Sequence, residues 1–286
     1  MTSIAAWQNC LRTMIKHKST PLSMLSGLWN HRVLMLELAR REAIGRYKGS
    51  LLGVFWSLVT PLFMLTIYTL VFSHVFKAKW GGTGDESQSQ FAIVLFAGLI
   101  VFNFFSECIG KAPSLVLNNV NFVKKVVFPL EILPCVNLLS ALFHAAVSLL
   151  VLVGFEWTVA GHVPVTALYI PLVLLPLAML IAGASWLLAA TGVYLRDIGQ
   201  TIGIFLTGLM FLSPIFFPTS ALPEQWRSLA RLNPLAIPIE QARQVLIYGH
   251  APDWREWLVY AAVAAVTAWF GYFCFQKARK GFADVL

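Results

Sequence analysis

Charge is scarce in this sequence, and the gaps in it are long. Asp, Glu, Lys and Arg make up 12% of the 286 residues, about half the roughly 25% typical of a soluble domain. None occurs over the 28 positions from 49 to 76. Further uncharged runs cover 132–155, 157–195, 198–223 and 257–276. An α-helix rises about 1.5 Å per residue, so about 20 apolar residues cross the roughly 30 Å hydrocarbon layer. With 58% hydrophobic residues, the chain is not an ordinary soluble domain. It reads as an all-helical integral membrane protein, because backbone groups in lipid must bond within their own segment.

Other absences narrow the chemistry. Cys10, Cys108, Cys135 and Cys274 show no close-paired spacing, which argues against a disulfide framework or a zinc site. The six histidines are scattered singly, without an HExxH pattern. A lone histidine such as His74 or His144 reads as a packed or interfacial side chain. Glu107, Glu131, Glu156 and Asp197 fall at the ends of apolar runs. Ion-coupled transporters usually keep ionisable groups at mid-span, so that coupling is disfavoured. Ile109-Gly110-Lys111 lacks the glycine and the Ser/Thr of a phosphate-binding loop: Phe105 and Ala112 stand in those places. No cofactor is expected in this chain. If ATP drives it, ATP and Mg bind another subunit. No basic soluble face is visible, so no nucleic acid partner is expected. There is no internal repeat and no low-complexity tract.

What is present is a succession of six spans. The first fills 49–76, with one internal proline, Pro61. The second covers about 90–109. A third follows Glu131, and a short turn near Gly161-His162 leads to a fourth from about Ala167. The last two occupy the runs before Glu224 and before Lys277. The organisation is a 1–50 arm, a 51–276 membrane domain and a 277–286 tail. With six spans both termini share a side, which carries fifteen Lys/Arg against six on the other. The positive-inside rule makes that side cytoplasmic, and the same bias accounts for the net charge of +8. The apolar patch at 33–38 is too short for a cleavable signal peptide and ends in Ala-Arg-Arg.

The segment RYKGSLLGVFWSLVTPL, through Arg46, Tyr47, Lys48, Ser50, Leu52, Gly53, Trp56 and Pro61, resembles a signature of the ABC-2 class of polysaccharide-exporting ABC transporter membrane subunits. NVNFVKKVVFPLEILP (119–134), YLRDI (194–198), SPIFFP (213–218) and NP (233–234) continue the match in order, from about residue 28 to 276. The O-antigen and teichoic-acid exporters are the nearest in kind, with capsule exporters further off. The resemblance implies a homodimer, a separate ABC nucleotide-binding subunit, and a polymer path between two permease chains. It further implies a polyprenyl-pyrophosphate-linked polysaccharide as substrate and the bacterial inner membrane as location.

Several residues stand out for this role. Residues 28–48 mix Trp29, Val33, Leu34, Leu36 and Leu38 with cations. They predict one helix along the cytoplasmic interface, with Arg40, Arg41, Arg46, Tyr47 and Lys48 near the ATPase or the lipid pyrophosphate; a simple topological anchor is the alternative. Residues 114–125, SLVLNNVNFVKK, predict a short helix that fits an ATPase cleft through Asn118, Asn119, Phe122, Lys124 and Lys125; a solvated loop is the alternative. Arg196 and Asp197 read as a local charge pair at a tight turn. Tyr68, Phe72 and Phe76 share a helical face, as do Phe205, Leu209, Leu212 and Phe216, followed by Phe217. Aromatic faces suit the apolar C–H faces of sugar rings, but also serve interfacial belts or packing. Between the fifth and sixth spans, 223–232 and 239–248 predict two short helices; the resemblance makes them external re-entrant or surface helices at the outer mouth, and interfacial helices bracing the dimer are the alternative. Two other readings stay open: an ABC-2 exporter of a small amphiphile, and a membrane-bound glycosyl- or acyltransferase, for which no Asp/His pair is placed.

Overall fold

The computed structural model describes residues 20–71, 88–124, 128–218, 225 and 232–286. Among these every regular element is helical. Four helical stretches are long and apolar enough to cross a membrane: Gln90–Ser114, Leu130–Ala160, Val165–Tyr194 and Trp254–Gly281. Two shorter apolar helices, Gly53–Thr69 and Ile198–Leu212, occupy the first and fifth expected spans. The first runs up to undescribed residues. The second stops because Ser213 turns extended (ψ 150°) and Pro214 has no N–H to continue the ladder.

The arm is two helices rather than one. Helix α1 (Pro21–Asn30) starts where the Thr20 side chain accepts a hydrogen bond from the Ser23 N–H, with Pro21 in its first turn. It stops at His31, where the chain leaves helical geometry (ψ 13°) before α2 (Arg32–Gly45). The single helix expected over 28–48 is therefore interrupted. Next comes RYKGSLLG, folded as successive turns: the N–H groups of Tyr47, Lys48, Ser50 and Gly53 each donate to the carbonyl three residues back. Gly49 and Gly53 take positive φ (88° and 51°), a region glycine adopts without steric cost. The abrupt end of charge after Lys48 is thus a turn from the arm into α3 (Trp56–Thr69).

Helix α4 (Gln88–Lys111) forms the centre. Every residue from 91 to 102 is buried, the pattern of a helix that is apolar all round. After two single 3-10 turns and the short α5 (Val120–Lys124), a 3-10 turn at Leu130–Ile132 leads into α6 (Leu133–Ala160). Helix α6 ends at Gly161 in the left-handed conformation (φ 74°), at the turn expected from the sequence. Helix α7 (Ile170–Tyr194) keeps Pro176 inside it, buried among neighbours; packed helices re-satisfy the freed backbone groups. Helix α8 (Ile198–Leu212), α9 (Ala236–Leu246), α10 (Trp254–Ala278) and the final α11 (Phe282–Val285) follow. Helix α9 begins at Ala236, three residues before the expected start of the second mouth helix at 239. The first expected mouth helix, 223–232, falls almost wholly outside the described residues.

Helices α7 and α10 make the tightest crossing. A Cβ on Gly271 would lie 2.1 Å from the Gly183 carbonyl oxygen, and one on Gly183 would lie 2.5 Å from that of Thr267. Backbones meet there because both residues lack side chains. Helix α4 packs against α6, α3, α8, α9 and α7 in turn. The tail folds back: Phe282 is fully buried beside Phe275 and Tyr194, and Arg279 pairs with Glu131 and donates to the Phe128 carbonyl (2.8 Å).

Candidate functional site

At the arm end, three helices converge on one carboxylate. Glu107 of α4 is paired with Arg46, with Lys111 one turn along (3.3 Å) and with His144 Nδ1 of α6 (3.2 Å). Lys111 reaches on to Glu42 of α2 (3.4 Å). Tyr47 meets the His144 ring edge-on at 6.0 Å. His144, which the sequence offered only as a packed residue, joins an ion network. Glu107 is the counter-charge that places Arg46 and Tyr47 where the arm enters the first apolar helix.

Helix α2 lies along the start of α6. Its inner face is small, with Ala39 and Ala43 buried and Leu38 packed near Ile132 and Val136. Its outer face keeps Val33, Leu34 and Leu36 exposed, and Trp29 before it, with Arg32 over the Trp29 ring at 4.8 Å. Arg40, Arg41 and Lys48 are exposed and, with Glu37, Ile44 and Gly45, line an open depression of about 470 Å³.

The segment between α4 and α6 is anchored rather than loose. Ala112, Pro113, Leu115 and Val116 are buried. A Cβ on Gly192 of α7 would fall 2.2 Å from the Pro113 carbonyl oxygen. Asn119 Nδ2 donates to the Leu115 carbonyl (2.8 Å), and Phe122 stacks on Phe128 (4.3 Å, 13°). Asn118 is exposed. The Lys124 side chain and Lys125 lie outside the described residues. Arg41 and Glu42 share a cavity of about 200 Å³ with Asn119, Phe122 and Leu115. Two candidate regions that the sequence separates by some 70 residues therefore form one surface.

Arg196 and Asp197 do not pair. Both are exposed and no ion pair links them. Adjacent residues point in different directions where a helix begins, and Asp197 serves α8 with its carbonyl, which accepts from Gln200 and Thr201.

The aromatic candidates divide. Phe72 and Phe76 lie outside the described residues. Tyr68 is half-buried, 6.5 Å from the Phe96 ring of α4. Phe205 is 52% exposed, while Leu209, one turn on, is buried. Since α8 ends at Leu212, Phe216 and Phe217 do not continue its face. Phe216 instead turns back to stack near Phe211 (5.9 Å) and packs on the core.

The opposite end holds a cluster absent from the sequence reading. Asn233 Nδ2 donates to Ser213 Oγ (2.9 Å), and Asn233 Oδ1 accepts from the Leu235 N–H (2.9 Å). Tyr260 of α10 donates to the Pro234 carbonyl (2.8 Å). The SPIFFP and NP segments thus meet. Beside them Arg243 of α9 is 3% exposed. Its guanidinium donates to the carbonyls of Val94 (3.0 Å), Pro214 (2.6 Å) and Ile215 (2.9 Å). The available signal was periodicity. Arg243 follows Ile239 by four residues, and Ala242 and Leu246 share that apolar side, so the cation sits on the buried face of a short amphipathic helix.

No group of three metal-ligating side chains occurs among the described residues. Four helices long enough to cross a membrane, with two shorter apolar helices beside them, mark a multi-pass membrane protein. A model of the ABC-2 type transporter family matches residues 34–247, and the chain belongs to that family of multi-pass membrane proteins. It is 28% identical to the O-antigen export system permease protein RfbA of Myxococcus xanthus, over 92% of this chain and 99% of the relative. It is 24% identical to a protein of the same name from Klebsiella pneumoniae, over 88% and 95%. To the polysialic acid transport protein KpsM of Escherichia coli it is 25% identical, over 86% and 93%.

Proposed function

We propose that this chain is the membrane subunit of an ATP-driven exporter that moves a lipid-linked polysaccharide across the bacterial inner membrane. Two copies enclose the path, six spans per copy, with both termini cytoplasmic. A separate ABC subunit binds ATP and Mg. It docks on the surface shared by α2 and the α4–α6 segment, where Asn118 is exposed and Lys124 and Lys125 follow. The depression beside Arg40, Arg41 and Lys48 receives the pyrophosphate of the polyprenyl carrier, since guanidinium and ammonium groups suit phosphate oxygens. Tyr68, Phe205 and the aromatics beyond α8 face the path.

The observation that carries this reading is the joining of Arg41 and Asn119 around one cavity, in a chain whose relatives are named for export of O-antigen and polysialic acid. A carrier-binding helix and an ATPase-contacting loop must communicate, and the reading is supported by α2 and this segment lining one cavity. The test is Asn119→Pro. Proline removes the Asn119 N–H that donates to the Val116 carbonyl (3.0 Å), and the Nδ2 contact goes with it. The expected result is normal membrane insertion, loss of surface polysaccharide, and lipid-linked polymer retained inside the cell. Normal export by this variant would remove the segment from the mechanism. Stimulation of the complex's ATPase by small lipophiles rather than by glycolipid would favour an exporter of small amphiphiles.

A further inference from the structure

The clamp around Arg243 ties α9 and the chain just past α8 to the backbone of α4 through one side chain. The Arg243 Nε bonds to Val94 of α4, Nη1 to Pro214 and Nη2 to Ile215, both just past the broken end of α8, while the residue itself belongs to α9. Guanidinium offers five N–H donors in a planar fork, so one side chain reaches carbonyls from two directions at once. A buried cation is costly unless its donors find acceptors. The acceptors exist for two local reasons. The break at Ser213 and Pro214 releases carbonyls from the helical ladder. On α4, Gly98 lets the guanidinium approach the helix backbone: a Cβ there would stand 2.7 Å from Nη2, closer than side chains tolerate. Ser213 and Asn233 add a second tie between the same break and the start of α9.

We propose that Arg243 is a positioning residue that locks α9 and the broken end of α8 into one body against α4, so that a movement of α8 during transport carries α9 with it. Resting on the exporter reading above, this assigns α9 to the outer mouth and makes the mouth follow the helix that lines the path. Lysine cannot replace the fork, because a single ammonium does not span three fixed carbonyls.

The experiment uses the full chain with its ATPase, reconstituted in lipid. Per milligram of reconstituted protein, Arg243→Met is expected to reduce export about tenfold, while ATP hydrolysis stays at the level of the unaltered protein. A residue that only holds the fold would lower both in proportion to the amount of folded protein, and that outcome overturns the proposal. Gly98→Ala crowds the same contact with Arg243 intact, and should act in the same direction but less strongly. Combined with Arg243→Lys it should fall short of the product of the two single effects, because both act on one contact; independent effects overturn the proposal. Should Arg243→Met fail to fold, the Gly98→Ala and Arg243→Lys cycle carries the same test. A second readout does not depend on what is transported. Spin labels on cysteines introduced at Gln244 of α9 and Asn103 of α4, both exposed, should show a broader distance distribution in Arg243→Lys than in the parent. An unchanged distribution overturns the clamp even if the substrate is something other than polysaccharide. A broadened distribution in a protein that exports no polysaccharide keeps the clamp and rejects the exporter reading.

Discussion

Helices α4 and α8 are both strongly apolar, yet the fold treats them in opposite ways. In α4 every residue from 91 to 102 is buried inside the chain. In α8 only Leu209 is buried, while Ile204, Phe205, Phe211 and Leu212 are exposed. Their glycines differ in the same sense. Gly98 of α4 makes room for Arg243 and Gly110 lies against Leu206, whereas Gly199, Gly203 and Gly208 of α8 face open space. Helix α3 sides with α8: Pro61 and Leu65 are buried, and Leu62, Phe63 and Met64 are exposed. The difference separates two jobs. Helix α4 is the post around which a single chain folds. Helices α3 and α8 present surfaces that one chain does not cover; under the proposed dimer, these meet the second copy or the path. Small residues favour close approach of membrane helices, which fits the open glycines.

The largest expected effect opposes a closed glycine to an open one. Gly271→Val drives a side chain into the Gly183 backbone. Overpacking costs about 1–3 kcal/mol or more, and backbone cannot rotate away. Monodisperse protein in detergent should be nearly lost. Gly203→Leu, on α8, should leave the single chain folded, since surface changes stay within about 0.5 kcal/mol, while the dimeric fraction falls. Light scattering on the purified proteins separates the two. A stable dimer of the Gly203→Leu protein would place the second copy elsewhere.

A smaller effect is expected at the polar end of α4. Glu107→Gln removes the shared partner of Arg46, Lys111 and His144. Arg46 is 41% exposed, so water takes up much of the loss and the global cost is modest. The local consequence is release of the turn between α2 and α3. Limited proteolysis near residues 46–53 should accelerate several-fold, with thermal inactivation little changed. The charge swap Arg46→Glu with Glu107→Arg should restore resistance. Equal proteolysis in parent and Glu107→Gln would show that the glycine turns hold the arm without the ion pair.

Much of this arrangement was legible from where charge stops. Among the described residues the uncharged runs located α3, α6, α7, α8 and α10, and Gly161 marked its turn, because lipid forbids charge at mid-span and a helix end requires a cap. The YLRDI and SPIFFP segments were recognisable as matches, but not what they touch. Arg46 and Glu107 are 61 residues apart and Arg243 and Val94 are 149 apart. No local pattern encodes such pairs. Arg243 lies in the 239–248 stretch that predicts a short helix, and its apolar neighbours at helical spacing were the signal that it is buried. The face drawn through Phe205 and Phe216 assumed an unbroken helix across Pro214, although proline there already argued for a stop. Arg196 and Asp197 misled because opposite charge in adjacent positions suggests a pair that helix geometry does not allow.

The smallest change in stability, and the sharpest use of the comparison, is at Phe205. Its ring is 52% exposed on α8, whereas Phe96 of α4 is 3% exposed within the core. Replacing either by leucine keeps hydrophobicity and most of the volume. At Phe96 the core must close over the lost ring edge, beside Tyr68, at a cost of about 1.5 kcal/mol or less. At Phe205 there is little to close, and the change in stability should stay within about 0.5 kcal/mol. Function should reverse the ranking. Under the proposed path, a flat aromatic face for sugar rings is lost at Phe205 and nothing in the path changes at Phe96. Phe205→Leu is therefore expected to shorten or reduce surface polysaccharide with normal protein levels, and Phe96→Leu to lower thermal stability with polymer length unchanged. Cysteine placed at 205 should react with a water-soluble thiol reagent in the working transporter, while cysteine at Leu209, buried one turn away, should not. An unreactive cysteine at 205 together with full-length polymer from Phe205→Leu would mean that this edge of α8 faces lipid. The path would then have to be built from the parts of α3 and the aromatics beyond Ser213 that remain.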